Sequence, residues 1–350
     1  MNNNKFIISA LSLFASLLLL MGTLNFVVDP LFQYHKQWLG TQPVLTDERY
    51  QNAGVAKTFD FENAIIGNSL SENFRASWFD EALGGKTVKL TVAGAHSFDY
   101  TYFFELLKQR EHQPENIIIC IDAYIFLSDA HNLQNPLPFY LYDNNPFNDV
   151  SYLYNFSILK DFTFNTVKCN LKNTVPNIDE AFVWETEHNN YGKEFVLATY
   201  KRAEKAESER ASQGLLELTR ENLDNITPYM EQMPNTNFIF AFSPLSIVYW
   251  DDVNQTNSIN AMQEVYNYAA ERLLSHPNAS VYFWEDEQMQ SIICDLDNYV
   301  DNVHYSSEVS FEMVRRIGEG TGKLDGENYA DRIAVFFDFL RSYPYETIFE

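Results

Sequence analysis

Five short apolar runs, each bounded by polar or turn residues, constrain this chain more than any other feature. They are 63–66 (NAII), 87–92 (TVKLTV), 116–121 (NIIICI), 237–242 (NFIFAF) and 280–283 (SVYF). Runs of four to eight apolar residues without alternation suit strands buried on both faces of a parallel sheet. Between them lie helical patterns: a short amphipathic segment at 102–109, a long charged one within 193–230, apolar residues at helical spacing over 259–274, and closing helices at 307–317 and 327–340. Strand–helix alternation of this kind predicts a three-layer, doubly wound, mostly parallel five-stranded α/β sheet. The stretch 123–191 breaks the rhythm, being rich in Asn, Tyr, Phe and Pro without firm periodicity. A structureless loop of that length is unusual in a compact domain, so an inserted cap near the carboxyl ends of the strands is expected.

A second feature sets the compartment. Residues 6–28 (FIISALSLFASLLLLMGTLNFVV) carry no charge, and Asn25 is the one polar residue of consequence. About 20 apolar residues span a bilayer as a helix. No small-residue cleavage site closes the run and no lipoprotein cysteine follows it, which favours an uncleaved anchor over a signal peptide. Lys5 and the free amine precede the run and Asp29 follows it, so the positive-inside rule places the rest of the chain outside the cytoplasm. The organisation expected is an anchor at 1–28, a juxtamembrane lead-in at 29–60, and a domain at 61–345 with an insertion at about 123–191.

Charge and cysteine content narrow the function. With 48 acidic against 24 basic residues the net charge is -24, and no Lys/Arg block offsets it, which argues against a nucleic-acid partner. Cys120, Cys169 and Cys294 are too far apart for a disulfide framework or a CxxC site, and Cys120 reads as a small core residue. No HExxH pair or Cys/His cluster predicts a metal, and no cofactor is called for. The stretch 318–323 (GEGTGK) misses the phosphate-loop spacing and follows a helix, so it reads as a flexible turn. The acidic run 285–287 reads as a solvated loop, and 242–244 (FSP) as a Ser-Pro turn that borders the pocket at most.

Two segments carry chemistry. The first run leads straight into Gly67-Asn68-Ser69-Leu70-Ser71, a serine on a glycine-led turn between strand and helix. Such a turn presents its hydroxyl outward at the sheet edge. Far downstream, Asp301-Asn302-Val303-His304 precedes a helix. A serine hydroxyl needs a base to accept its proton, and a histidine needs a carboxylate to hold its tautomer. Ser69, His304 and Asp301 are thus the candidate catalytic residues. Taken singly, Ser69 also reads as a helix cap and His304 as a loop residue.

On these residues the chain resembles the GDSL/SGNH hydrolases. Gly67-Asn68-Ser69-Leu70-Ser71 looks like that family's first block, with asparagine in place of the aspartate before the nucleophile, and Asp301-x-x-His304 looks like its last. Gly94, after the second run, stands where the family has an oxyanion-hole glycine. The resemblance covers roughly 60–320 and implies a flavodoxin-like fold, Ser69 as nucleophile, His304 as base, Asp301 as its partner, and the Ser69 and Gly94 amides as oxyanion donors. Asn68, His96 and Asp122 become pocket candidates. After the third run the family has a Gly-x-Asn-Asp block whose asparagine donates to the oxyanion, whereas this chain reads Ile121-Asp122-Ala123-Tyr124. That departure, together with the anchor, resembles the membrane-tethered branch that includes the D-alanyl transfer protein of lipoteichoic acid synthesis and the alginate O-acetylation proteins. It implies an extracytoplasmic esterase or O-acyltransferase acting on a glycan or acylated substrate beside a membrane-embedded O-acyltransferase. The alternative is a catalytically weak or inactive glycan-binding or assembly protein of a cell-envelope polymer pathway on the same fold.

Overall fold

The computed structural model describes residues 3–133, 136–186 and 190–350. Residues 1–2, at the head of the expected anchor, and 134–135 and 187–189, inside the expected insertion, lie outside the described residues. The chain divides into two compact units, Met1–Asp60 with Pro136–Phe182, and Phe61–Asn135 with Val183–Glu350. Most of the stretch read as an insertion therefore groups with the N-terminal residues.

The first unit contains the helix Asn3–Val28, apolar along nearly all its length and largely exposed. At 1.5 Å per residue it is about 39 Å long, enough to cross a bilayer. Its carboxyl end is held by polar contacts. Asn25 is fully buried, its Nδ2 donating to the Leu153 carbonyl at 2.9 Å and its Oδ1 accepting from the Thr163 hydroxyl at 2.7 Å. Asp29 then folds the chain back, accepting from the amides of Gln33, Tyr34 and His35 and from the Tyr152 hydroxyl. The lead-in contains the helix Glu48–Thr58, capped by Asp47. Gly54 is required there, because a Cβ would stand 1.8 Å from the Leu31 carbonyl oxygen.

The second unit holds one sheet with strand order β2-β1-β3-β4-β5-β6: β1 (Asn63–Gly67), β2 (Thr87–Thr91), β3 (Asn116–Ile121), β4 (Asn237–Phe242), β5 (Ala279–Tyr282) and β6 (Lys323–Leu324). The first five are parallel, and each lies within a residue or so of an apolar run. β1 is buried throughout, and β3 and β4 along all but their first residue, as a parallel sheet covered on both faces requires. The winding reverses between β1 and β3, and such switch points open a crevice beyond the carboxyl ends of the strands.

An asparagine ladder fixes the register at the other end. Asn116 Nδ2 donates to Asn63 Oδ1 at 2.8 Å, Asn237 Nδ2 to Asn116 Oδ1 at 3.1 Å, and Asn63 Nδ2 to the Thr87 hydroxyl at 3.2 Å. A one-residue slip of β1, β2, β3 or β4 would break this row.

Four expectations are corrected. The sheet has six strands, not five: β6 pairs antiparallel with β5. It grows from the stretch read as a flexible turn, where Gly320 in the left-handed region ends the helix Ser307–Glu319 and Gly322 packs with no room for a Cβ beside Trp284. The acidic run is not a solvated loop. Glu285 pairs with Arg332, and Asp286 pairs with the buried Arg316 while capping the helix Glu287–Cys294. The long charged segment is broken into Lys193–Thr199, Gln213–Asp224 and Thr227–Gln232. Between the first two, helix propensity loses to tertiary bonds: Arg202 grips Asp251 and Glu346, and the Ala206 amide donates to the Gln255 carbonyl.

Candidate active site

The turn after β1 is built by crowding and capping. Gly67 has no room for a side chain, since a Cβ would lie 2.1 Å from Ser71 Oγ. Asn68 caps the helix Ser69–Glu72 through Oδ1, which accepts from the Leu70 amide at 3.0 Å. Its Nδ2 donates to Asp122 Oδ2 at 2.8 Å. Asp122, the first residue after β3, caps its own helix, Ala123–Leu127, by accepting from the Tyr124 and Ile125 amides. The two strand ends at the switch point are therefore tied together by side chains, and Ser69 stands on the tie.

The Asp-x-x-His segment folds on itself. Tyr299 and Tyr305 form an antiparallel bridge, and the Val300 amide donates to the His304 carbonyl at 3.1 Å. Asp301 uses its two oxygens for different tasks. Oδ1 accepts from the Val303 and His304 amides, each at 2.8 Å, which shapes the loop. Oδ2 lies 2.7 Å from His304 Nδ1. Burial works to raise the Asp301 pKa, but the His304 ring, its charge and the two amides outweigh it and hold the carboxyl below its usual range. The segment read as a Ser-Pro turn, together with Ser246 two residues beyond it, braces this loop. Ser246 donates to the Asn302 carbonyl at 2.7 Å, and the Tyr299 hydroxyl donates to the Pro244 carbonyl at 2.6 Å.

His304 Nε2 lies 2.8 Å from Ser69 Oγ. A carboxylate on Nδ1 favours the tautomer with its proton there, which leaves the Nε2 lone pair facing the serine hydroxyl. The serine, imidazole and carboxylate thus form one hydrogen-bonded chain across a sequence separation of 235 residues between Ser69 and His304.

Ser69 and His304 open onto a cavity of about 160 Å³, whose wall also includes Asn68, Gly94, His96 and Tyr124. Gly94 has a φ of 71°, and its turn closes with the Ala95 amide donating to the Val92 carbonyl. Neither the Ser69 nor the Gly94 amide has an acceptor among the described residues. Asp122 does not reach the cavity: it is fully buried behind Asn68, and burial raises its pKa against the opposing bonds from Asn68 and two amides.

Sequence reasoning missed Trp184 and Glu185. Trp184 Nε1 donates to the Ser69 carbonyl at 2.8 Å, and its ring meets His304 edge-on at 5.6 Å and 83°. Glu185 takes the Ser307 amide, while its own amide donates to Asn73 Oδ1. This pair touches both halves of the site. Its only signal was a tryptophan in an aperiodic stretch.

Among the described residues no cluster of three or more His, Cys, Asp or Glu is arranged to hold a metal ion. Compared with known proteins, the chain matches no family model and no curated protein sequence.

Proposed function

We propose that this chain is a membrane-tethered serine esterase or O-acyltransferase of the SGNH type, acting outside the cytoplasmic membrane on a cell-surface polysaccharide or similar polyol. The observation that carries this reading is the continuous bond chain from Ser69 Oγ through His304 to Asp301, at 2.8 and 2.7 Å. In the proposed reaction Nε2 takes the hydroxyl proton as Oγ attacks an acyl carbonyl. The free amides of Ser69 and Gly94 receive the oxyanion, and the imidazolium returns its proton to the leaving oxygen. The acyl-serine is then resolved by a second hydroxyl, from water or from a sugar: His304 takes its proton as the new acyl–oxygen bond forms, and passes that proton to Ser69 Oγ as the acyl–Oγ bond breaks. The flavodoxin-like strand order and the positions of the two blocks at β1 and beyond β5 support the family reading.

The missing asparagine after β3 bears on the rate. An ionised Asp122 facing an oxyanion would repel it, but Asp122 is turned away and engaged with Asn68. His96, on the cavity wall two residues past Gly94, is the side chain we assign to the vacant donor role. Tyr124 is 51% exposed beside it and offers an aromatic face to a sugar ring. As a membrane span, the helix Asn3–Val28 would tether the chain to the membrane that also holds an O-acyltransferase supplying acyl groups.

The test is covalent labelling. Full-length protein in detergent should react with a fluorophosphonate at Ser69, and His304→Ala should abolish the reaction. A folded wild-type protein that stays unlabelled refutes the reading. The absent asparagine favours a second one, an assembly protein that binds glycan without turnover, for which Ser69→Ala would leave both glycan binding and polymer modification in cells unchanged.

A further inference from the structure

The first unit exposes an apolar face that its own residues leave uncovered. Phe164, Val167 and Leu171 are 52%, 36% and 80% exposed, and they recur at i, i+3 and i+7 along the helix Phe164–Lys172. The opposite side of that helix faces inward, with Thr166 buried and Asn170 bonded to the Gln42 carbonyl. An amphipathic helix of a water-soluble unit turns its apolar stripe to the core. This one turns it outward, and Phe156 beside it is 66% exposed.

The long N-terminal helix fixes the level at which that face sits. A groove of about 370 Å³ is lined by Phe14, Leu17 and Leu24 of the helix Asn3–Val28 and by Phe156, Leu159 and Phe164. From residue 14 to 24 the helix rises about 15 Å, half of a hydrocarbon core about 30 Å thick. If the helix crosses a bilayer, side chains sharing a groove with Leu17 and Leu24 lie at the outer half of that bilayer, not in bulk water. The polar residue at this level is already satisfied, since Asn25 bonds to Leu153 and Thr163.

Charge adds an independent argument. In a chain with twice as many acidic as basic residues, the segment 156–172 carries Lys160, Lys168 and Lys172 against Asp161 alone. Lys168 and Lys172 are exposed and make no ion pair among the described residues. Basic residues flanking an outward apolar stripe are the pattern of a helix lying in an anionic membrane surface.

We propose that 156–172 forms a shoulder resting in an anionic bilayer, with Phe156, Phe164, Val167 and Leu171 among the acyl chains and Lys168 and Lys172 at the phosphate headgroups. The proposal rests on the reading of Asn3–Val28 as a membrane span, and the experiment separates the two. Full-length protein is reconstituted into phosphatidylglycerol nanodiscs, with a solvatochromic amino acid replacing Leu11, Phe164, Leu171 or Val335 in turn. Val335, 53% exposed in the second unit, is the reference. Lipids brominated on their acyl chains should quench the probes at Leu11, Phe164 and Leu171 at least twofold more than at Val335. Quenching at Leu11 with Phe164 and Leu171 equal to Val335 overturns the shoulder and leaves the span standing. No quenching at Leu11 removes the span and the shoulder with it. Blue-shifted emission at Phe164 without quenching means that protein covers the face, and overturns the assignment to lipid. Lys168→Glu with Lys172→Glu should lower quenching at Leu171, and unchanged quenching overturns the headgroup contact.

Discussion

Replacing Asp301 by asparagine separates the two tasks that this carboxylate performs. The new side chain keeps one oxygen for the Val303 and His304 amides, now 2.8 Å from Asp301 Oδ1, so the loop should hold. The second position becomes an NH₂ about where Oδ2 stands, 2.7 Å from Nδ1. Two N–H groups cannot face each other, so the imidazole proton moves to Nε2, and Nε2 can no longer accept from Ser69 Oγ. Inverting a tautomer in this way lowers turnover by about 10⁴, or about 5 kcal/mol of barrier. The loss in stability should be far smaller, about 1–2 kcal/mol, because the carboxylate is 32% exposed and each of its three charge-assisted bonds is exchanged for a neutral one rather than lost. Fluorophosphonate labelling of full-length wild-type and Asp301→Asn protein, followed by intact mass against time, measures the rate, and thermal unfolding measures the fold. A folded variant labelling within tenfold of wild type would refute the tautomer argument. The sign of the pH effect follows from the same contacts. Asp301 is held below the usual carboxylate range in the folded state by the His304 ring and two amides. Its stabilising contribution is therefore complete above about 4 and is lost as pH falls through the depressed folded value. The stability difference between wild type and Asp301→Asn should therefore shrink as pH falls below about 4.

Gly67→Ala places a Cβ 2.5 Å from Ser71 Cβ, so it should lower stability by about 1–3 kcal/mol in urea unfolding, with Ser71→Gly restoring part of the loss. Asn116→Val removes the middle of the asparagine ladder and leaves Asn63 Oδ1 and Asn237 Nδ2 without that partner. About 2 kcal/mol should be lost, with an unchanged urea m-value. Trp184→Phe keeps an aromatic ring near His304 but deletes the bond to the Ser69 carbonyl, and should slow probe labelling about fivefold. Labelling unchanged in that variant would mean that the tryptophan does not help to hold Ser69.

What the sequence determined by itself is the part of this protein encoded locally. Apolar runs such as NIIICI hold enough buried surface in six residues to specify a strand, and their alternation with helices specifies a parallel sheet. The Asp301-x-x-His304 spacing was legible because a single carboxylate both shapes that loop and grips the ring within it. Only the tertiary structure decided what depends on contacts between distant segments. β6 is two residues long, too short to announce itself, and exists because β5 offers an edge to pair with. Asp122, a pocket candidate by its place in the sequence, is held behind the cavity wall by Asn68, 54 residues before it in the chain. Trp184 gained its place beside Ser69 and His304 from an aperiodic stretch whose neighbours no local pattern reveals. Periodicity reports which face of an element is buried; it carries no record of which remote side chain buries it.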